Sequence, residues 1–207
     1  TIGGADICGN ALAGVENKTP YSNVEILDIT NNTWTTGTPM PTARFGMAST
    51  IHDDRYIYVI GGYENGDVST NIIEKYDTQT DTWSVSLPSL YNPVLSHIPS
   101  NIGYIVASSD ISNNIYIMGN DSITVRKRTI IAINSNKPTD LSNILYHKNS
   151  VFSMVKDASG IFYMIGGTYR SKQLSAYNFS NNTWTPKATM NTEREGAGSV
   201  VVNQKIY

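Results

Sequence analysis

Residues that could carry out chemistry are few in this sequence and lie far apart. The three histidines, His52, His97 and His147, fall in predicted turns or connections, and none belongs to an H-x-H or H-E-x-x-H pattern. Cys8 is the single cysteine, so no C-x-x-C pair exists. Metal ligands recur at such short spacings because one turn or strand then presents two of them to the same ion. The sequence therefore predicts no metal site.

Nucleophilic catalysis and phosphate binding also lack their patterns. The G-x-S-x-G turn that exposes a catalytic serine is absent. Gly61-Gly62 and Gly166-Gly167 lead into β-prone sequence rather than a helix, so no helix N-terminus is available to hold a phosphate. We therefore expect a protein without enzymatic activity and without a cofactor.

Composition and charge narrow the class of partner. The 207 residues carry a net charge of −2 and contain no apolar run near the roughly 20 residues of a membrane-spanning helix. The basic run at 126–128 is too small for a nucleic-acid surface. We expect a protein or peptide partner, with neither nucleic acid nor a membrane. The lone cysteine favours a reducing compartment such as the cytoplasm.

A unit built around a glycine pair and a tryptophan occurs several times along the chain. In each well-preserved copy a β-prone stretch ends in Gly-Gly, and a tryptophan later follows a Leu or Tyr by seven residues. These residues are Gly3-Gly4, Leu27 and Trp34, then Gly61-Gly62, Tyr76 and Trp83, then Gly166-Gly167, Tyr177 and Trp184. A degenerate copy keeps β-prone stretches at 115–119 and 130–134 but has Asn120 in place of the second glycine. Such recurrence predicts a repeat architecture.

The best copy predicts the structure of one repeat. Its β-prone stretches cover 46–51, 55–60, 71–76 and 82–86, with a tight turn at Asp53-Asp54. Because no amphipathic helical run interrupts the chain, we expect an all-β protein of four-stranded antiparallel meanders. One such sheet cannot bury both faces alone, and radial stacking of the sheets gives a β-propeller. Paired glycines predict positive φ or close backbone approach, and large rings predict contacts between neighbouring sheets.

The order of strand, Gly-Gly, Tyr-Asp and Trp, followed by Met-Pro and Arg, resembles the kelch repeat. The matching residues include Gly61-Gly62, Tyr76, Trp83 and Leu87-Pro88 in one copy, Met40-Pro41 and Arg44 in the first, and Met190 and Arg194 at the same spacing in the last. The resemblance covers essentially the whole chain and is weakest from about 92 to 149. It implies a kelch-type β-propeller of four-stranded blades.

The chain holds about four blades of sequence, which we expect to form one domain over 1–207. The predicted repeats are approximately 1–40, 41–90, 91–145 and 146–190, with 191–207 beginning the blade that 1–40 continues. Read head to tail, 206–207 followed by 1–4 reproduces the pattern of 57–62. Two architectures stay open, a four-bladed ring and a segment of a larger propeller of six or seven blades. We expect the segment, because a break within one strand closes a ring poorly.

The resemblance implies a protein-interaction module, as in substrate adaptors and scaffolds, with a possible upstream adaptor domain in the full-length protein. It also keeps two alternatives open. One is an enzyme on a kelch propeller, similar to a sialic-acid epimerase or a galactose oxidase. A copper site of the oxidase type would require Cys8, in the glycine-rich loop after Gly3-Gly4, with Tyr21 nearby. The other is an architectural component of a surface or particle assembly.

Binding is expected in the loops, because strands of repeat scaffolds are committed to packing. The loops after each Gly-Gly and the connections between blades should share one rim. Tyr and Arg in them offer broad contact area together with directional hydrogen bonds. The predicted partner-binding residues are Arg44, Tyr63, Asn65, Tyr91, Asn92, His147, Tyr169, Arg170 and Arg194. For Arg44 and Arg194 an equal alternative is that they join one blade to the next through backbone carbonyls.

Overall fold

All regular structure in the described part of the chain is β-strand. The computed structural model describes residues 1–8, 17–65, 68, 70, 72–85, 105–109, 115–120, 128–134, 137–140, 153–167, 171–178, 180–181, 183–194 and 197–207. The chain divides into two compact units, Thr1–Ile105 and Val106–Tyr207. No helix in the described ranges is long and apolar enough to cross a membrane.

The first unit contains eight described strands in three antiparallel sheets. Two sheets have two strands each, and the third is a four-stranded meander in the order β5-β6-β7-β8. The strands are β1 (Ala5–Cys8), β2 (Asn17–Pro20), β3 (Val24–Asp28), β4 (Thr33–Gly37), β5 (Ala48–His52), β6 (Tyr56–Ile60), β7 (Ile73–Asp77) and β8 (Thr82–Val85). The meander confirms the four strands predicted for the best repeat to within two residues at each end.

The second unit contains ten described strands. Two four-stranded meanders, β9 to β12 and β13 to β16, precede a two-stranded sheet, β17-β18. The strands are β9 (Ile105–Ser109), β10 (Ile115–Asn120), β11 (Arg128–Asn134), β12 (Lys137–Asp140), β13 (Ser153–Lys156), β14 (Phe162–Ile165), β15 (Leu174–Asn178), β16 (Thr183–Pro186), β17 (Val201–Val202) and β18 (Lys205–Ile206). The predicted strands of the degenerate repeat are therefore present as β10 and β11.

Tight turns set the register of the hairpins. Asp53 and Asp54 both have positive φ, 52° and 49°, between β5 and β6. Asn203 and Gln204 do the same between β17 and β18, with φ of 48° and 61°. Two consecutive residues of positive φ give the turn whose twist matches that of the flanking strands. The predicted Asp53-Asp54 turn is confirmed.

The seven-residue spacing from Leu or Tyr to Trp is the register of the third and fourth strands. Tyr76 lies directly opposite Trp83, and Tyr177 lies directly opposite Trp184. Their ring centroids are 4.9 Å apart in both pairs. Tyr76 and Tyr177 are buried, and aromatic pairs of this geometry contribute about 0.5–1.5 kcal/mol beyond their buried area. In these two blades the sequence spacing therefore encodes a packed aromatic pair, whereas the equivalent pair of Leu27 and Trp34 is exposed.

Apolar side chains of the second and third strands form the core of each blade. Val59, Ile60 and Ile73 are fully buried in the first unit, and Phe162 and Ala176 are buried in the second. The strand before the Gly-Gly pair and the strand after it thus carry most of the buried side chains of these two sheets. Loops and outer strands are left at the surface.

The glycine pairs satisfy both predicted reasons for their presence. Gly61 and Gly62 have φ of 59° and 96°, and Gly166 and Gly167 have φ of 70° and 123°. A Cβ on Gly62 would lie 2.6 Å from the carbonyl oxygen of Phe45. Each pair therefore turns the chain at the end of the second strand while the connection between blades passes directly beneath it.

One predicted loop has more structure than we expected. The segment after Gly3-Gly4 contains the hairpin β1-β2, in which Ala5 lies opposite Pro20 and Cys8 lies opposite Asn17. The glycine-rich loop predicted there is thus in part a two-stranded ribbon. The side chain of Cys8 lies outside the described part.

Candidate interaction surface

Two kinds of loop meet at one place in the first unit. Phe45 belongs to the connection before β5, and Tyr63 follows Gly61-Gly62. Their backbones exchange two hydrogen bonds, from Phe45 N to Tyr63 O at 3.0 Å and from Tyr63 N to Phe45 O at 2.8 Å. Their rings stack with centroids 5.6 Å apart and planes inclined by 25°. We call these two half-buried rings the aromatic platform.

The loop that carries Tyr63 is closed by backbone hydrogen bonds. The amide of Glu64 donates to Val68 O at 2.8 Å, and the amide of Thr70 donates to Gly62 O at 2.9 Å. Asn65 is exposed between these contacts, and Val68 is 60% exposed. The loop that carries Tyr63 therefore also exposes a polar amide and an apolar side chain.

Arg44 lies inside the unit, although its connection reaches the same place. Its side chain is 0% exposed. Its guanidinium donates to Glu74 Oε2 at 2.9 Å and to the carbonyl oxygen of Val59 at 3.2 Å. Burial lowers the pKa of Arg44, and the carboxylate of Glu74 partly offsets that effect. These contacts fit the joining role that the sequence left open for Arg44, and they leave no part of its side chain for a partner.

Sequence reasoning missed the carboxylate that Arg44 meets. Glu74 is the second residue of β7 and is 1% exposed. Thr42 Oγ1 donates to its second oxygen, Oε1, at 2.8 Å. A signal was present, since Glu74 and the apolar Tyr76 alternate on one face of the strand, and an acid on a face that is buried requires a partner.

A second joint between blades uses the backbone of Thr38. The Trp83 Nε1 group donates to Thr38 O at 2.7 Å, and the Thr38 amide donates to Asp81 Oδ1 at 2.7 Å. Tyr76 donates to the same oxygen at 2.5 Å. Burial and this hydrogen bond raise the pKa of Tyr76 to about 12. Trp83 thus makes the predicted contact with a neighbouring sheet, while the Tyr76 hydroxyl reaches a carboxylate of its own sheet.

Arg194 occupies in the second unit the position that Arg44 has in the first. Its carbonyl accepts from Gly167 N at 3.0 Å, and its amide donates to Ser171 O at 3.2 Å. Its side chain is exposed. The other predicted binding residues, Tyr91, Asn92, His147, Tyr169 and Arg170, lie outside the described residues.

The described residues offer little for catalysis. No three of their His, Cys, Asp and Glu side chains lie close enough to hold a metal ion. His52 contacts Tyr58 edge to face at 5.6 Å, and His97 and His147 lie outside the described residues.

A cavity of about 950 Å³ in the second unit contains one acidic group, Asp157. Its carboxylate accepts from the amides of Ser159 and Ile161, at 2.9 and 3.0 Å, and from the Tyr163 hydroxyl at 3.0 Å. Burial raises the pKa of Asp157, but hydrogen bonds from these groups outweigh it and lower the pKa overall. Asp157 is therefore an ionised turn-forming residue rather than a proton donor.

Comparison with known proteins finds the same repeat. The kelch motif profile matches residues 44–86, which include Arg44, the Gly-Gly pair and Trp83. Kelch-like protein 38 of Homo sapiens is 27% identical over 89% of this chain, which spans 30% of that protein's length.

Two further relatives combine kelch repeats with other named parts. A putative F-box/kelch-repeat protein of Arabidopsis thaliana is 43% identical over 32% of this chain and 18% of its own length. A RING finger domain and kelch repeat-containing protein of Dictyostelium discoideum is 29% identical over 49% of this chain and 10% of its own length. The chain therefore carries a kelch motif over residues 44–86, and it is similar to kelch-repeat proteins along most of its length.

Proposed function

We propose that this chain is a protein-interaction module without enzymatic activity, and that its rim loops bind a peptide or protein partner. The observation that supports this most is the aromatic platform of Phe45 and Tyr63. Backbone hydrogen bonds hold both loops, so the rings are ordered before a partner arrives. Pre-ordered aromatic side chains lose little entropy on binding and provide broad contact area.

The neighbouring groups suit a polypeptide. Asn65 can donate and accept at once, as a peptide backbone requires, and Val68 adds apolar surface. Glu64 is half-buried in the same loop. We infer that Tyr63 and Asn65 contact the partner directly. Tyr91, Asn92, His147, Tyr169 and Arg170 remain predicted contacts on the same grounds of residue type and loop position.

We further propose that the full-length protein carries a separate domain that acts on the captured partner. The names of two relatives pair kelch repeats with an F-box or a RING finger domain. A substrate adaptor of a ubiquitin ligase would be organised in this way, with the kelch blades choosing the substrate.

Site-specific photocrosslinking tests the proposed surface. A photoreactive phenylalanine at Tyr63 should crosslink a discrete protein in lysate, which mass spectrometry identifies and which is then purified. Tyr63→Ala and Asn65→Ala should each weaken binding of that purified protein at least about tenfold, as loss of an interface anchor does. Trp34→Ala is the matched control, because Trp34 is an exposed aromatic residue on an outer strand, 59% exposed. Equal binding by all three variants would contradict the proposal.

A further inference from the structure

Asn65, in the loop that carries Tyr63, precedes a glycine. Asn65-Gly66 is the single Asn-Gly pair among the 207 residues. Asparagine is one of the thermolabile residues, because the main-chain nitrogen that follows it can attack its side-chain carbonyl carbon. A glycine in the next position favours this attack, since it has no Cβ to obstruct the approach. The sequence of this loop therefore carries a potential site of spontaneous chemical modification.

The structure leaves the side chain of Asn65 accessible to this reaction. Asn65 is exposed, and its side-chain amide makes no hydrogen bond to another residue in the described part of the chain. It lies between β6, which ends at Ile60, and β7, which begins at Ile73, so no strand pairing fixes its main-chain torsions. The hydrogen bonds that close the loop are donated by the main-chain amides of Glu64 and Thr70.

We propose that Asn65 is a deamidation site, at which the loop acquires a carboxylate as the protein ages. The Gly66 nitrogen forms a bond to Cγ of Asn65, and the bond from Cγ to the side-chain nitrogen breaks. That nitrogen takes up the proton that the Gly66 nitrogen loses and leaves as ammonia. The product is a five-membered cyclic imide.

Water then opens the imide at one of its two carbonyl carbons. Attack at Cγ restores the original main chain and gives aspartate. Attack at the main-chain carbonyl carbon gives isoaspartate, in which the chain continues through Cγ and the former main-chain carbonyl becomes the carboxylate. Either way one water is consumed and one ammonia is released, so the reaction needs neither an oxidant nor a reductant.

Both products change the loop. The amide of Glu64 donates to Val68 O at 2.8 Å, and residues 65–67 lie between these two groups. Isoaspartate adds one carbon to the main chain inside this span, so the hydrogen bond cannot keep its geometry without a rearrangement. Aspartate keeps the main chain but adds a third acid to a loop whose sequence already contains Glu64 and Asp67, and like charges repel.

The reaction is independent of the proposed function, whereas its effect on a partner rests on that function. The amide of Asn65 can donate and accept hydrogen bonds, but the carboxylate of either product only accepts. A partner that contacts Asn65 should therefore bind the aged protein less tightly. Deamidation would then limit the working life of this loop.

Peptide mapping by mass spectrometry of the full chain, incubated at mildly alkaline pH, tests the site. Asn65 should convert to acid at least about tenfold faster than Asn203, and Gly66→Val should slow conversion by a similar factor. Asn203 is the matched internal control, because it is exposed in a tight turn but precedes Gln204. Isoaspartate methyltransferase should label the aged parent, and hydrogen exchange at the Glu64 amide should be faster in the labelled form.

Conversion of Asn65 no faster than that of Asn203 would overturn the proposal, and so would a Gly66→Val variant that reacts as fast as its parent. An isoaspartate form whose Glu64 amide exchanges as slowly as in the parent would overturn the inferred loop rearrangement. None of these measurements involves a partner, so their failure would leave the proposed binding role standing. Conversely, unchanged partner binding by Asn65→Ala would refute that role at Asn65 and leave the reaction in place.

Discussion

Replacing Arg44 by leucine should destabilise the first unit strongly. The guanidinium and the Glu74 carboxylate are 2.9 Å apart, with 0% and 1% of their side chains exposed. Removal of one partner leaves a buried charge without compensation, which costs about 3–5 kcal/mol. Thr42 continues to donate to Glu74, so we expect the lower end of that range, about 3 kcal/mol. For a chain of this size, that corresponds to a loss of roughly 6–12 °C in Tm.

The double variant Arg44→Leu/Glu74→Leu should recover most of the lost stability. Replacing both ions by apolar side chains removes the uncompensated charge, and such replacements are often neutral or stabilising. The carbonyl of Val59 loses a donor, which costs about 1 kcal/mol. We therefore expect the double variant to lie within about 1–2 kcal/mol of the parent.

Urea unfolding followed by tryptophan fluorescence measures all four members of this double-mutant cycle. The double variant should lose less free energy of unfolding than the sum of the losses measured for the two single variants. An Arg44→Leu variant that loses less than about 1 kcal/mol would refute the reasoning, because the pair would then behave as an exposed one. Strict additivity would refute it as well, since it would mean that the two side chains do not interact.

Three further predictions concern the blade joints. Trp83→Phe should lose about 1 kcal/mol of stability with the hydrogen bond to Thr38, whereas Trp34→Phe, at a position 59% exposed, should stay within about 0.5 kcal/mol of the parent in urea unfolding. Gly62→Ala should lower the free energy of unfolding by at least about 2 kcal/mol, because the φ of 96° disfavours a side chain and the new Cβ would meet Phe45 O. Gly198→Ala, which has open space around it, should be neutral by the same assay. The pKa of Tyr76 is raised to about 12 from an unfolded value near 10, so the stability that this shift contributes is complete below pH 10 and declines as pH rises toward 12. Tyr76→Phe should flatten that decline, as measured by thermal unfolding across this pH range.

The strands, turns and glycine conformations could be predicted because each depends on residues near one another in sequence. Asp53-Asp54 forms its turn locally, and the pairing of Tyr76 with Trp83 follows from a fixed hairpin length. The burial of Arg44 could not be predicted from residues near it in sequence. Its partner Glu74 is thirty positions away on the next sheet, and a connection residue looks the same whether its side chain points outward or inward.

The candidate interaction surface can be predicted only in part. The position of Tyr63 and Asn65 after Gly61-Gly62 predicts that both lie in one loop, and the structure places them there. The stacking of Phe45 on Tyr63 depends on how two separate loops approach each other, which the sequence does not encode locally. Trp83 is only partly buried, so its truncation to alanine should cost less than the about 3–5 kcal/mol typical of a fully buried tryptophan.

The joint at Thr38 bears on how such a chain can grow. Trp83 hydrogen-bonds the carbonyl oxygen of Thr38, a main-chain group that every residue type presents. This contact accepts any neighbour of the same backbone shape. Gene duplication or exchange of a blade then needs no compensating substitution opposite Trp83. The Arg44–Glu74 pair differs, because it joins two side chains and each requires the other. Both members must therefore be inherited together, which restricts the blades that can follow one another.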